Sequence, residues 1–144
     1  MKSDRDNVSE MHMNLDALAV TWSPRLLSIL RIMSGLLLLQ HGTAKYLNFP
    51  FVDRMSNASP TSMSGIAGIL ELVGGVLLIL GLFTRPTAFI LSGMCAVAYF
   101  LVHAPRGFFP ILNGGELAVL YCFVFLYLAA AGAGPWSVDA ARNR

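Results

Sequence analysis

The sequence predicts an all-α protein, a membrane-spanning four-helix bundle with both termini cytoplasmic. Three observations carry this. The 144-residue chain is 56% apolar and only 12% charged, about half the roughly 25% charged share of ordinary soluble domains. Its charge is segregated: Lys2, Asp4, Arg5, Asp6, Glu10, Asp16 and Arg25 crowd the first 25 residues, and most of the next hundred positions are uncharged. Four apolar stretches, 26–42, 65–82, 87–103 and 115–133, each approach the roughly 17 to 25 residues a helix needs to cross a bilayer. Residues 1–24 then form a polar or amphipathic tail, 25–134 the transmembrane domain and 135–144 a cytoplasmic tail.

Each element has its own signals. Ser23 before Pro24 reads as an N-cap with proline at the first helical position, so helix one is expected to start near Arg25. It is no cleavable signal peptide, because a mixed-charge tail precedes it, Arg31 interrupts it and no small-residue cleavage site follows promptly. Upstream, Met11, Leu15, Leu18 and Trp22 recur at helical spacing, which suits a surface-lying amphipathic helix as well as a disordered tail. Phe83, Thr84, Arg85 and Pro86 mark a tight break, making helices two and three a hairpin. Asn113, Gly114, Gly115 and Glu116 resemble a capping box opening helix four.

Four spans put both termini on one side, and basic residues choose which. That side carries Lys2, Arg5, Arg25, Arg85, Arg142 and Arg144 against Lys45, Arg54 and Arg106 on the other, so the termini are expected inside. The loops 43–64 and 104–114 then lie outside. Asn57, Ala58 and Ser59 match a glycosylation sequon, but a three-residue pattern followed by Pro60 carries no weight.

Polar residues within the spans are the candidates for function, since charge in a bilayer is costly and usually faces the bundle interior. Arg31, Ser34, Leu38, His41 and Lys45 fall on one stripe of helix one, and Ser64, Gly68, Glu71 and Gly75 on one stripe of helix two. Ser92, Ala96, Tyr99 and His103 do the same on helix three, and Glu116, Leu120, Phe123 and Tyr127 on helix four. At about 1.5 Å per residue, His41, Lys45, Glu71, His103 and Glu116, with Gln40 and Tyr99 nearby, are expected to line a polar pocket opening outward. Glu71 lies too far into its helix to be a cap, and stands either as a functional carboxylate or as an ion-pair partner of Lys45 or Arg31. Glu116 has the capping box as its plainer role, His103 an interfacial position satisfied by water, Arg31 a reach toward the cytoplasmic headgroups, and Arg106 a loop charge.

Several function classes fall away. A net charge of +2 without a basic stripe lacks the footprint of a nucleic-acid binder. Cys95 and Cys122 are not in CxxC spacing and read as small core residues. There is no phosphate loop, zinc motif or nucleophile elbow, so no metal is assigned. Two membrane histidines meet too easily for His41 and His103 to name a haem site.

Three blocks resemble the DoxX family of membrane proteins: HGTAK from His41 to Lys45, LELVGGVLLILGLFTRPTA from Leu70 to Ala88, and GAGPWSVDA from Gly132 to Ala140. They carry the family's His-Gly-x-x-Lys, Glu followed by Gly-Gly, Phe-Thr-Arg turn and Gly-Pro-x-x-Ser-x-Asp tail, over roughly 25–140; the loop 46–64 and the N-terminal tail depart. The resemblance implies a four-helix protein of the inner (cytoplasmic) membrane, an accessory subunit of a quinone-linked oxidoreductase or of a redox or stress system. It marks His41, Lys45, Glu71, Arg85 and Asp139, with Gly42, Gly74 and Gly75 as motif glycines. Beyond the lipid bilayer, its implied partners are a quinone, a membrane or soluble redox protein, or a second copy. In that reading His41 and Lys45 hydrogen-bond the quinone carbonyls and Glu71 relays protons. The alternative is a non-catalytic scaffold or small-solute carrier.

Overall fold

The computed structural model describes residues 2–142, and the side chains of residue 11 and of 16–142. Helices α1 (Lys2–Tyr46), α2 (Met63–Leu80) and α3 (Thr84–Ala98) come first; α3 runs on through a π turn (Tyr99–His103) and a 3-10 turn (Ala104–Arg106). A short α4 (Pro110–Asn113), a long α5 (Glu116–Ala131) and a short α6 (Val138–Arg142) complete the chain. There are no strands among the described residues. Helix α1 packs chiefly on α2, and α3 on α5.

Burial is the reverse of a water-soluble bundle. Large apolar side chains such as Val73, Phe89, Ile90, Leu120 and Phe123 point outward, while Ser28, Arg31, Ser34, Lys45, Glu71, Thr87 and Ser92 are buried. An apolar surface this continuous is stable in hydrocarbon and a liability in water. Three helical segments, Asp16–Tyr46, Met63–Leu80 and Thr84–Arg106, are long and apolar enough to span a membrane, and α5 is a shorter apolar helix. At about 1.5 Å per residue α5 reaches about 24 Å against roughly 30 Å of hydrocarbon. The exposed Phe108, Phe109, Ile111 and Leu112 before it extend its apolar path.

Glycine sets the closeness of α1 and α2. A Cβ on Gly35 would lie 3.0 Å from the Gly75 carbonyl oxygen, and one on Gly42 would lie 2.8 Å from the Leu72 nitrogen and 3.0 Å from the Gly68 oxygen. The two backbones therefore touch, which is how helices associate where no hydrophobic effect drives them together. At the other end of α2, Gly81 adopts φ 67° and lets Leu82 N–H reach back to Leu77 O at 3.0 Å, a Schellman-type stop.

Three sequence expectations need correction. Helix one does not begin at Ser23 and Pro24; Pro24 lies inside α1, which is continuous from the N-terminal tail into the first span. A proline removes only one amide donor, and hydroxyls support neighbouring carbonyls: Thr21 Oγ1 donates to Ala17 O at 2.8 Å and Ser28 Oγ to Pro24 O at 3.3 Å. Of the proposed amphipathic set, Met11, Leu18 and Trp22 are exposed, and the Leu15 side chain lies outside the described residues, as do Met1, Asn143 and Arg144. The capping box at helix four is not made. Gly115 caps α5 without a side-chain bond, because Asn113 Oδ1 turns forward to accept from Gly115 N–H at 2.8 Å. Nor does α5 present Glu116, Leu120, Phe123 and Tyr127 to the bundle, since all four are exposed. Phe125 and Leu128 fill the core instead, and Ser92 Oγ of α3 donates to Cys122 O at 2.8 Å.

Candidate functional site

The polar residues gather in three places at the end that carries the C-terminus of α1 and one at the opposite end. In the first, Lys45 in the last turn of α1 reaches Glu71 in the middle of α2, Nζ to Oε1 at 2.8 Å, with side chains 10% and 8% exposed. Gly68, one turn before Glu71, makes this reach available: a Cβ there would stand 3.0 Å from Lys45 Cδ and 2.8 Å from the Tyr46 ring. The lysine stem and the tyrosine lie across bare backbone, and Tyr46 Oη donates to Gly65 O at 2.8 Å. Glu71 Oε2 is buried without a hydrogen-bond partner. A carboxylate oxygen left so in a low-dielectric interior is costly, and it is the one acceptor the pair leaves open.

His41, one turn back on α1, is half-buried. Its Nδ1 lies 3.1 Å from Leu37 O. A carbonyl only accepts, so Nδ1 carries the proton and Nε2 keeps its lone pair in the neutral ring. The ring meets Tyr121 of α5 edge-on at 6.4 Å. The third place is the π turn, where the Tyr99 and His103 rings stack at 6.5 Å and His103 Nδ1 lies 3.1 Å from Asn113 O. Tyr99 Oη donates to Phe108 O at 3.3 Å, and the buried Asn113 donates through Nδ2 to Gly107 O at 2.8 Å. The structure thus joins Lys45 with Glu71, sets His41 beside Tyr121 and Tyr99 beside His103, and leaves Gln40 and Glu116 exposed.

At the opposite end, Arg31 does not reach for headgroups. It is fully buried, because the free carbonyls of two helix ends and the tail converge on it. Its guanidinium donates to Leu78 O, to Ile79 O at 2.9 Å, to Ala133 O at 2.8 Å and to Trp136 O. Arg85 closes the end of α5 by donating to Ala129 O at 3.1 Å and Ala130 O at 2.5 Å. Asp139 accepts from Phe83 N–H at 2.9 Å and Thr84 N–H at 2.8 Å, capping α3, while its own N–H donates to Gly81 O at 2.9 Å. Burial alone would raise the Asp139 carboxyl, but the bonds from Thr84 and Phe83 and the nearby Arg142 charge together hold it below the ordinary carboxylate range. These three charges are spent on backbone groups that α2, α3 and α5 cannot satisfy themselves.

Sequence reasoning missed Gly81, Ser28 and Ser137. A Cβ on Gly81 would lie 2.8 Å from the Arg31 guanidinium; its place just past an apolar helix was the available signal. Ser28 Oγ accepts from Trp136 N–H at 3.2 Å, and Ser137 Oγ from Ala140 N–H at 3.1 Å. Both thiols are free; Cys95 is buried in the core and Cys122 Sγ lies 3.5 Å from Ser92 Oγ. Among the described residues no group of three or more His, Cys, Asp or Glu is placed to hold a metal ion.

Apolar helices turned outward around buried polar groups, with helix ends sealed by arginine and aspartate, define a polytopic helical membrane protein. The chain belongs to the DoxX family, whose model (DoxX) matches residues 26–104. That stretch holds Arg31, His41, Gly42, Lys45, Glu71, Gly74, Gly75, Arg85, Tyr99 and His103; Glu116 and Asp139 lie beyond it. A Haemophilus influenzae protein named only as uncharacterized is 50% identical over 122 residues, covering 82% of this chain and 91% of that one. A second from the same organism, named the same way, is 38% identical over 69 residues, covering 48% and 46%. No solved structure matches the chain.

Proposed function

We propose that this DoxX protein is an accessory subunit of a quinone-linked redox system in the bacterial inner membrane, with Lys45 and Glu71 as its proton-handling pair. The observation that carries the reading is the unpartnered Glu71 Oε2 inside an apolar bundle. An acceptor held there can take a proton or accept a hydrogen bond from a ligand that water does not reach, and the Lys45 cation stabilises the carboxylate once the proton leaves. His41, with Nδ1 anchored on Leu37 O, offers its Nε2 lone pair, four residues from Lys45, to the hydroxyl of a reduced quinone. Walls that are apolar with a few convergent polar groups suit such a ligand. The chain would carry out no reaction alone; electrons reach the quinone from a partner protein.

Orientation belongs to the same proposal. Arg25, Arg85 and Arg142 stand toward the end that bears the termini, which faces the cytoplasm under the positive-inside rule. Reporters fused after Arg144 and within 55–61 are expected to read inside and outside respectively; the same side for both would refute four spans.

The quinone role is tested with purified wild type and Glu71→Gln, melted with and without a short-chain quinone analogue. The amide keeps shape and hydrogen bonding, so the variant folds, and the analogue is expected to stabilise the wild type alone. If it stabilises neither or both equally, Glu71 handles no quinone and the pair is a scaffold element of a structural or carrier protein.

A further inference from the structure

The end of the molecule that carries Arg31 and Asp139 also carries a groove that the redox reading does not use. It is an open groove between the first span and α5, about 410 Å³ in volume, lined by Ala19, Trp22, Ser23, Leu26, Leu27, Leu30 and Tyr127. Every lining group on α1 lies within three turns of Pro24, and two of the walls, Leu26 and Tyr127, are more than half exposed. A groove on the hydrocarbon-facing side of a span is not filled by water, since nothing there satisfies a water molecule's hydrogen bonds. An apolar chain fills it.

The rim adds charge. Arg25 lies with its guanidinium carbon 5.2 Å from the centre of the Trp22 ring, and Trp22 is itself part of the groove wall. A cation–π contact of this kind holds the guanidinium beside the ring while its N–H donors can still reach an acceptor. Indole and arginine together are the pair that sits at headgroup depth. The groove floor therefore lies in the acyl region, and its rim presents an oriented cation where a lipid phosphate sits. Among the described residues nothing acidic lines the groove to compete for Arg25.

We infer that this groove is a binding site for an anionic glycerophospholipid, one acyl chain lying along Leu26, Leu27 and Leu30 against Tyr127 and the headgroup phosphate accepting from Arg25. Affinity divides into a chain part that any phospholipid supplies and a headgroup part that only a net negative lipid supplies, because the zwitterion's own ammonium competes for its phosphate. A single arginine at an anionic headgroup is worth about fivefold in binding.

The test uses the full-length protein, delipidated in neutral detergent and titrated with dioleoylphosphatidylglycerol, dioleoylphosphatidylcholine or inorganic phosphate, with bound lipid counted by native mass spectrometry and stability read by melting. Phosphatidylglycerol is expected to bind about fivefold tighter than phosphatidylcholine and to raise the melting temperature more, with no effect of inorganic phosphate. Arg25→Gln, an exposed position, should abolish the difference and keep the phosphatidylcholine level. Arg142→Gln removes a cation outside the groove and should leave the preference for phosphatidylglycerol over phosphatidylcholine unchanged. Ala19→Trp, which fills the groove, should weaken both lipids. Equal binding of the two lipids by wild type overturns the inference. So does an equal loss in Arg142→Gln and Arg25→Gln, which would reduce the effect to general surface attraction, and so does an unchanged lipid count in Ala19→Trp.

Discussion

Replacing Arg31 tests how much of the bundle depends on a single side chain. Arg31→Met keeps the length and apolar stem and removes every donor, leaving Leu78, Ile79, Ala133 and Trp136 without the guanidinium. Leu78 O retains Gly81 N–H at 3.1 Å, so three carbonyls lose the partner that distinguishes them. A buried acceptor left unsatisfied costs about 1–3 kcal/mol, and removal of the arginine's own desolvation returns part of the sum, so the net loss is on the order of 4 kcal/mol. Melting of the detergent-solubilised protein should fall by roughly 10 °C or more. Arg31→Lys, a point charge with a shorter reach, should recover part of the loss and not all of it. Gly81→Ala should resemble Arg31→Met, because its Cβ would meet the guanidinium at 2.8 Å and the backbone there needs φ 67°. If Arg31→Met melts with the wild type, the carbonyls are satisfied without it and the sealing role is wrong.

Gly42→Ala should cost about 1–3 kcal/mol, since its new methyl would lie 2.7 Å from Leu72 Cγ and 2.8 Å from the Leu72 nitrogen, which cannot swing away; Gly93→Ala, with nothing within 4 Å, should be neutral or slightly stabilising in the same melting assay. Lys45→Met alone should destabilise by about 3–5 kcal/mol because Glu71 keeps a buried charge, and adding Glu71→Leu should restore much of it, as read by a double-mutant cycle. Asp139 holds its carboxyl below the ordinary range, so the stability it contributes is full above the unfolded carboxylate value of about 4 and is lost as pH falls through the folded one. Protease cleavage of the tail, measured against pH, should rise on that acid limb in the wild type and be raised and flat in Asp139→Asn.

The helices were legible because hydrocarbon demands long apolar runs and leaves few other solutions. Period also put Glu71 on a face shared with two cations of α1, Arg31 and Lys45, and left the choice between them open; the structure pairs it with Lys45. The face of α5 was not legible: Leu, Phe, Tyr and Val run all round it, so no polar residue marks which side turns inward, and packing of Phe125 and Leu128 decides. The start of α1 was misread because a proline signal that stops helices in water is weaker where no alternative to helix satisfies the backbone. The roles of Arg31, Arg85 and Asp139 were hidden for another reason. Their partners are main-chain groups, and a carbonyl looks the same whatever residue bears it.

The bonds of Arg31 also impose an order of events on a growing chain. Its two tail acceptors, Ala133 and Trp136, lie 102 and 105 residues downstream, while Ile79 and Leu78 arrive with the second helix. A nascent chain therefore carries an arginine into the membrane with the first helix, quiets it in part when the second joins, and finishes only as the segment bearing Ala133 and Trp136 emerges. Completion of the four-helix unit waits on the segment after α5, so a chain cut short before Ala133 retains α1 to α5 entire while Arg31 keeps only its acceptors at the end of α2.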